Sequence, residues 1–301
     1  MPLLHARSQL LEIAYEEGGA GDGPVILLLH GWPDDIRGWR QVAPRLQAAG
    51  FRTITPYLRG FGPTRFLSHE TVRDGRGVAL AQDAIDLADA LGIDTFAVAG
   101  HDWGARAAYT LAALFPERVT SVTGIALAFQ PRAVFSIPPF SQAHRFWYQW
   151  FMALDEGADS VRKDPSGFAR IQWETWSPSG WFNEADFAET ARSFQNPDWS
   201  AITLHAYRSR WLDEPCDPRY ARFQHRLTQI ATLATPALMI QGGEDTCDEP
   251  ASSEGMEHHF TGGYRRIVLD GVGHFPPREA PETVADAVVA HLAGDRCTPP
   301  A

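Results

Sequence analysis

The stretch from Thr95 to Arg106, TFAVAGHDWGAR, constrains this chain more than any other part of its sequence. Thr95 to Ala99 is a short apolar run with β-branched residues, which is typical of a buried strand. Gly100 and Gly104 then bracket Asp102 in the spacing G-x-D-x-G, which is typical of a sharp turn between a strand and a helix. Such a turn lifts one side chain above the sheet, beside backbone N–H groups that can stabilise an oxyanion. The sequence therefore predicts a strained turn with Asp102 at its apex.

An aspartate at this apex indicates a particular chemistry. A carboxyl group with an ordinary pKa of about 3.9 is ionised at neutral pH, so Asp102 needs no base before it attacks. A carboxylate that attacks an acyl group only exchanges one acyl species for another, so its natural target is a saturated carbon with a leaving group. The product is an alkyl ester of Asp102, which water must then hydrolyse. That step calls for a histidine to activate the water and a second acid to orient it. A helix-capping role for Asp102 is the alternative.

Strands and helices alternate along most of the chain, which predicts a mostly parallel sheet with helices on both faces. Further short apolar runs predict strands, and runs with helical periodicity lie between them. The predicted strands are 10–15, 25–29, 51–56, 119–127, 236–241 and 264–269, and the predicted helices are 40–48, 78–91, one ending near 115, 252–260 and 281–292.

Residues 131–230 interrupt this alternation. They contain seven of the ten tryptophans and no evident buried strand, so they predict a helical cap inserted into the α/β fold. The predicted division is a core domain of residues 1–130 and 231–301 and a cap domain of residues 131–230. The cap is expected to cover the carboxyl edge of the sheet, where open α/β sheets bind their ligands. Most of its tryptophans are expected to form the cap's own core, and two or three to contact substrate.

Composition excludes several classes of function. The net charge of −11 argues against nucleic acid or an anionic membrane as partner, since either favours a basic surface. Cys216, Cys247 and Cys297 lack metal-ligand spacing and are expected to be free thiols in a reducing compartment. The first residues have no sustained apolar segment, and no run approaches the roughly 20 residues of a membrane span. We expect a cytoplasmic monomer or homodimer without metal or cofactor, and a loose tail after Gly294.

The partners of Asp102 are predicted from their positions after strands. His274 follows the last strand and precedes the last helix, and the order nucleophile, acid, histidine is that of the α/β-hydrolases. The segment QGGEDTCDEP follows the preceding strand and offers the orienting acid. Asp245 is favoured because it follows that strand by one tight turn, and Asp248 is held in reserve. A structural role for His274 in its loop is the alternative.

The segment HGWP, after the second strand, predicts the donors for an oxyanion. The backbone N–H groups of Trp32 and Trp103 are placed to stabilise negative charge while the ester is hydrolysed. The bond between Trp32 and Pro33 is a candidate cis peptide. His30 is expected to brace this loop rather than take part in catalysis.

Together HGWP, GHDWG, the acid in GGED and the segment GHF resemble the epoxide hydrolase branch of the α/β-hydrolases, from about Leu10 to His291. The resemblance implies an α/β-hydrolase fold and hydrolysis of a small apolar epoxide to a vicinal diol. It also implies two cap tyrosines that protonate the epoxide oxygen, and Tyr148 in FWYQWFM and Tyr207 in LHAYRSRW match them. Simple aromatic packing is the alternative for both tyrosines. The residues predicted to line the pocket are Trp32, Trp103, Trp147, Trp150 and Phe275.

Haloalkane and haloacid dehalogenases share this framework, so the fold and Asp102 alone do not decide the reaction. Haloalkane dehalogenases bind the halide with the indole N–H of a tryptophan that follows the nucleophile, as Trp103 does here. That reaction would give Tyr148 and Tyr207 no role, so it is the second hypothesis. Fluoroacetate-type enzymes have arginine where this chain has Trp103, which argues against a free carboxylate substrate. Arg106 matches a second arginine of that family, but it could equally pair on the helix surface. A binding protein that has lost catalysis has no need of Asp102, Asp245 and His274 together.

Overall fold

The computed structural model describes residues 2–294, and their strands form one sheet. The sheet order is β1-β2-β4-β3-β6-β7-β8-β9, with the short β5 beside β2. All pairs from β4 through β9 are parallel, whereas β2 runs antiparallel to its neighbours. The predicted mostly parallel sheet is confirmed. The strands are β1 (Leu3–Arg7), β2 (Leu11–Gly18), β3 (Val25–Leu29), β4 (Arg52–Pro56), β5 (Arg65–Phe66), β6 (Phe96–His101), β7 (Val119–Ile125), β8 (Ala237–Gly242) and β9 (Tyr264–Leu269).

Helices cover both faces of this sheet. Apolar residues of α1 and α12 pack with Leu28 of β3 on one face, while those of α2 and α3 pack with Leu27 and Leu29 on the other. Because successive side chains of a strand point to opposite faces, a run such as VILLL is buried on both sides. The helices are α1 (Ala43–Ala48), α2 (Gly77–Ala90), α3 (Trp103–Leu114), α4 (Phe140–Ala143), α5 (Trp147–Ala153), α6 (Asp155–Lys163), α7 (Pro165–Thr175), α8 (Glu184–Ala191), α9 (Trp199–Arg208), α10 (Ala221–Leu227), α11 (Pro276–Glu279) and α12 (Pro281–Leu292).

Three local predictions differ from the structure. The predicted helix 252–260 is wrong: Pro250–Ser253 and Glu257–His259 form two short 3₁₀ turns. Gly255 lies between them with φ of 66°, in the left-handed region that interrupts a right-handed helix. The predicted first strand is preceded by β1, and the predicted helix 40–48 begins only at residue 43. The tail after Gly294, which includes Cys297, lies outside the described residues.

The helices between β7 and β8 contact the loops at the carboxyl ends of the strands. The indole N–H of Trp173 on α7 donates to the Pro33 carbonyl oxygen at 2.7 Å. The indole N–H of Trp32 donates to the hydroxyl of Thr203 on α9 at 3.0 Å. The division into core and cap domains at residues 131 and 230 stays a prediction. Across residues 2–294, no helix combines the length and the apolar character needed to cross a membrane.

Candidate active site

The turn between β6 and α3 holds Asp102 in a strained conformation. Its φ of 49° and ψ of −111° lie outside the regions that residues other than glycine ordinarily adopt. The neighbouring glycines make the turn possible: a Cβ on Gly104 would lie 2.0 Å from the Leu29 carbonyl oxygen, and one on Gly100 would lie 2.1 Å from the Gly104 oxygen. The backbone therefore presents the Asp102 carboxylate at the end of the strand.

The two oxygens of the Asp102 carboxylate have different surroundings. Oδ1 accepts a hydrogen bond from the backbone N–H of Trp32 at 2.8 Å. Oδ2 lies 3.7 Å from Nε2 of His274, which is too long for a hydrogen bond. Burial alone would raise the pKa of Asp102, but His274 and the Trp32 N–H outweigh burial and lower it. Asp102 is therefore ionised at neutral pH, with one oxygen held by an N–H group and the other facing the histidine.

The loop HGWP adopts the conformation expected of it. The Trp32–Pro33 peptide bond is cis. His30 braces the loop, since its Nε2 accepts from the Leu58 N–H at 3.1 Å, and burial is the main cause that lowers its pKa to about 4. Among the hydrogen bonds of residues 2–294, none joins the backbone N–H of Trp103 to Asp102. The oxyanion role of Trp32 and Trp103 therefore stays a prediction, with a direct contact only for Trp32.

His274 and Asp245 form the second part of the site. Nδ1 of His274 lies 2.8 Å from Oδ2 of Asp245, and both side chains are buried. Oδ1 of Asp245 accepts from the backbone N–H groups of Cys247 and Asp248, at 2.8 and 2.9 Å. Asp248 thus supports the loop through its backbone, while Asp245 contacts the imidazole. The geometry favours Asp245 over Asp248 as the orienting acid.

His274 lies between two carboxylates. Burial would lower the pKa of its imidazole, but attraction to Asp245, together with Asp102, raises that pKa to about 10. Nε2 of His274 is buried without a hydrogen-bond partner and faces Asp102. The imidazole is therefore protonated at neutral pH while Asp102 is charged. Loss of the charge on Asp102 would lower the pKa of His274 and favour the neutral imidazole, the form that can accept a proton from water.

Tyr148 on α5 and Tyr207 on α9 approach each other over the site. Their ring centroids are 5.3 Å apart, and the rings are almost perpendicular. The Tyr207 hydroxyl accepts from the indole N–H of Trp103 at 3.1 Å, and the Tyr148 hydroxyl accepts from Nε2 of Gln149 at 3.1 Å. The Tyr207 hydroxyl keeps its own O–H to donate, while the Tyr148 hydroxyl also lies 3.7 Å from Sγ of Cys247, and either atom of that pair can be the donor. Burial, more than any other cause, raises both pKa values well above 10, so both phenols stay protonated.

A cavity of about 820 Å³ joins these groups, since Asp102, Trp103, Tyr148 and Tyr207 all line it. The other residues predicted for the pocket lie outside its lining. Trp32 packs beneath the two tyrosines, with its ring centroid 5.0 Å from that of Tyr207. Phe275 is fully buried and stacks on a cap tryptophan.

Trp147 and Trp150 were also predicted to line the pocket, and neither does. Trp147 is 40% exposed, and the indole N–H of Trp150 donates to the Ala143 carbonyl oxygen at 3.0 Å. Successive residues of a helix are about 100° apart, so Trp147 and Trp150 on α5 point in directions about 100° and 200° away from that of Tyr148.

Comparison with known proteins assigns the fold. Residues 24–281 match the model of a family described as having the alpha/beta hydrolase fold. A crystal structure of a Klebsiella pneumoniae protein, provisionally an epoxide hydrolase, superimposes with a TM-score of 0.89 and 39% identity, over 96% of each chain. The chain belongs to the epoxide hydrolase branch of the α/β-hydrolases.

Two further relatives carry the name epoxide hydrolase. One, from Caballeronia sordidicola, is 28% identical to this α/β-hydrolase over 90% of this chain and 88% of its own. Epoxide hydrolase B of Mycobacterium tuberculosis is 31% identical over 169 residues. That match spans only about half of each protein, 52% of this chain and 47% of the relative.

The α/β-hydrolase loop that carries His274 has supports that sequence reasoning missed. The Ser177 hydroxyl, from the cap, accepts from the His274 N–H at 2.8 Å. Glu279 accepts from the two N–H groups that flank His274, at 2.7 and 2.8 Å, and from the Ser177 hydroxyl at 2.7 Å. Nε2 of His101 lies 2.6 Å from the His274 carbonyl oxygen. Glu279 lies close enough in sequence to suggest such a role, but Ser177 has no local signal.

One group of side chains has a metal-like arrangement. Asp74, His205 and Cys216 offer ligand atoms within 4.8 Å of one another. However, Arg76 pairs with the Asp74 carboxylate at 2.6 Å, and Nδ1 of His205 accepts from a backbone N–H at 3.0 Å. These groups already have protein partners that a metal ion would have to displace.

Proposed function

We propose that this protein hydrolyses epoxides to vicinal diols through a covalent ester on Asp102. The observation that carries the proposal is that Asp102, Tyr148 and Tyr207 line one cavity, so that a carboxylate nucleophile and two phenols face the same space. Opening an epoxide produces an alkoxide, which is too basic to form unassisted, and protonated phenols supply the proton. The relatives named epoxide hydrolases support the same reaction.

In the first step, Oδ2 of Asp102 attacks an epoxide carbon and the carbon–oxygen bond of the ring breaks. A proton passes through Tyr148 or Tyr207 to the oxygen that is released, and the tyrosine recovers its proton from His274. Forming the ester removes the charge of Asp102, one of the two carboxylates that raise the pKa of His274. His274 is then neutral and ready to act as a base.

In the second step, Nε2 of His274 takes a proton from water, and the hydroxide attacks the carbonyl carbon of the ester. Oδ1 becomes the oxyanion and already faces the Trp32 N–H at 2.8 Å. As the intermediate collapses, the leaving alkoxide takes a proton from the new carboxyl group, so that the diol leaves and Asp102 is a carboxylate again beside a protonated His274. Asp245 holds the imidazole throughout.

The dehalogenase alternative has less support, because the indole N–H groups of the site are already used. That of Trp103 donates to Tyr207, and that of Trp32 donates to Thr203. A halide would have to displace one of these acceptors. Incubation with styrene oxide and, separately, with a bromoalkane tests the two reactions. We expect diol from the epoxide, and release of bromide without any diol would overturn the proposal.

The double substitution Tyr148→Phe and Tyr207→Phe is expected to lower the rate of ring opening by about 10²- to 10⁴-fold, because it removes both proton donors. Pre-steady-state measurement of the alkyl-enzyme separates ring opening from hydrolysis of the ester. Tyr264→Phe is the matched control, since Tyr264 lies on β9 and packs on Phe260. Near-normal ring opening in the double variant would show that the donors lie elsewhere.

The two steps are expected to depend differently on pH. Ester formation should be constant from about pH 5 to 9, because the pKa of Asp102 is lowered and that of His274 is raised to about 10. Hydrolysis of the ester should fall in acid, as His274 protonates in a state without the charge of Asp102. Rapid quenching across the pH range measures both rates. If ester formation and ester hydrolysis fell in the same way at low pH, the roles given to Asp102 and His274 would be contradicted.

The remaining expectations stay predictions from the sequence. They are a small apolar epoxide as substrate, no metal or cofactor, a cytoplasmic location and a monomer or homodimer. Mass photometry measures the oligomeric state, and a panel of epoxides of increasing size measures how much of the cavity of about 820 Å³ the substrate uses.

A further inference from the structure

Two arginines that line the cavity contact the same aromatic ring. The guanidinium carbons of Arg106 and Arg210 each lie 4.7 Å from the ring centroid of Phe135. Arg210 also lies 4.4 Å from the ring centroid of Tyr207. The phenyl ring of Phe135 therefore contacts two positive charges, one of them beside Tyr207.

Neither guanidinium has a carboxylate partner among the ion pairs of residues 2–294. Nη1 of Arg106 donates to Gln130 at 3.2 Å, and its buried Nε has no hydrogen-bond partner. Arg210 donates to the carbonyl oxygen of Ala206 and to Oε1 of Gln149, both at 3.2 Å. Other buried arginines of this protein are paired: Arg59 with Asp83 and Arg278 with Asp34.

The charges in and around the cavity leave an excess of positive charge. Asp102 and Asp245 are negative, while His274, Arg106 and Arg210 are positive. Burial, assisted by Asp245, raises the pKa of Asp248 to about 7, so this carboxyl contributes at most a partial charge at neutral pH. Of the other charged groups of the lining, Arg76 pairs with Asp74 and Glu249 with Arg145, and the exposed Arg132 adds a further positive charge.

We propose that Arg106 and Arg210 bind a carboxylate carried by the epoxide substrate, an inference that rests on the proposed function. Guanidinium groups bind carboxylates through charge-assisted hydrogen bonds, and both have N–H groups to donate. A monoanion would offset the excess positive charge. The two guanidinium groups would also offset the repulsion from Asp102, which otherwise disfavours an anion in this cavity.

The positions of the two arginines fix where that carboxylate lies. Arg106 is one helical turn beyond Asp102 on α3, or about 6 Å along the axis, and helical side chains tilt back toward the N-terminus. Arg210 is linked to Tyr148 through Gln149, which accepts from Arg210 and donates to the Tyr148 hydroxyl. The carboxylate is therefore expected only a few bonds from the epoxide ring.

This inference revises two expectations from the sequence. Trp103 follows the nucleophile where an arginine would hold a carboxylate, which argued against a free carboxylate substrate. Arg106 was expected equally to pair on the helix surface, but its guanidinium faces the cavity. The structure supplies a second arginine, Arg210, from just beyond the end of α9, where the local sequence gives no signal.

The first test compares substrates of matched size: 4,5-epoxypentanoate, its methyl ester and 1,2-epoxypentane. The wild type is expected to show the highest kcat/KM with the carboxylate. In Arg106→Met and in Arg210→Met, the ratio of kcat/KM for carboxylate over ester should fall by about 10- to 100-fold. Arg106→Lys should restore part of the ratio. Arg162→Met is the matched control, because Arg162 pairs with Asp159 on the exposed surface.

A second measurement is independent of turnover. Calorimetric titration with pentanoate, which has no epoxide, should show binding to the wild type and a Kd at least about 10-fold higher in either methionine variant. An epoxyalkyl phosphate of similar length tests whether the site prefers a phosphate to a carboxylate, and it should be a poorer substrate than the carboxylate. Wild-type preference for the ester or hydrocarbon, with diol still formed, would overturn the carboxylate site alone. Pentanoate binding without diol from any epoxide would uphold the site and overturn the proposed function.

Discussion

Replacing Asp102 with alanine is expected to abolish measurable epoxide turnover, with kcat lowered by about 10⁴-fold or more, because the substitution removes the nucleophile of the first step. The remaining groups could still polarise the epoxide, but no covalent ester can form. Steady-state assay of diol measures the loss, and mass spectrometry should show no alkylated protein. Asp270→Ala is the matched control, since Asp270 is an exposed acid just after β9.

The Asp102→Ala result depends on a folded protein. Asp102 is buried and sits in a strained turn, so its replacement must be checked by circular dichroism and thermal unfolding. Alanine in the same left-handed region still carries the backbone strain. A variant that folds normally and keeps more than about a tenth of the wild-type kcat would show that Asp102 is not the nucleophile.

Replacing His274 with alanine is expected to stop the reaction after its first step. Asp102 keeps its hydrogen bond from Trp32 and can still attack, but no base activates water for the ester. One equivalent of alkyl-enzyme should accumulate on the Asp102 peptide, while kcat falls by about 10²- to 10⁴-fold. Peptide mass mapping after incubation with styrene oxide measures the adduct.

His69→Ala is a suitable control for that experiment, because His69 is exposed in a loop before α2. It should turn over normally without any accumulated adduct. If the His274→Ala variant shows neither adduct nor turnover, ring opening does not proceed without the proton that His274 returns to the tyrosine, and the predicted accumulation of ester is wrong. If it turns over at the wild-type rate, the base lies elsewhere.

Much of the fold could be predicted because its signals are local. The buried parallel strands are short continuous apolar runs, and β3 and β6 pair in the centre of the sheet. The failed helix at 252–260 shows the limit, because Gly255 within it turns the backbone into the left-handed region. Strand β1 was missed because its alternation is weak and only Ala6 is buried in it.

The residues of the site also divide into those that local sequence predicts and those that depend on the packing of the folded chain. Asp102, Asp245 and His274 follow strand ends, and their sequence order predicts their meeting at one edge of the sheet. The pocket walls were predicted less well, because which face of α5 points inward depends on how the cap packs. Arg210 was not predicted at all, since its role follows from a contact with Phe135 that only the folded chain creates.

The central claim is that Asp102 forms a covalent ester whose carbonyl carbon is then attacked by water. A single turnover in ¹⁸O-labelled water, with enzyme in excess over epoxide, tests it directly. The released diol should contain no label, because its new oxygen comes from Asp102, and the Asp102 peptide should gain the label. Label in the diol after that first turnover, with an unlabelled Asp102, would mean that water opens the epoxide directly and would contradict the covalent mechanism.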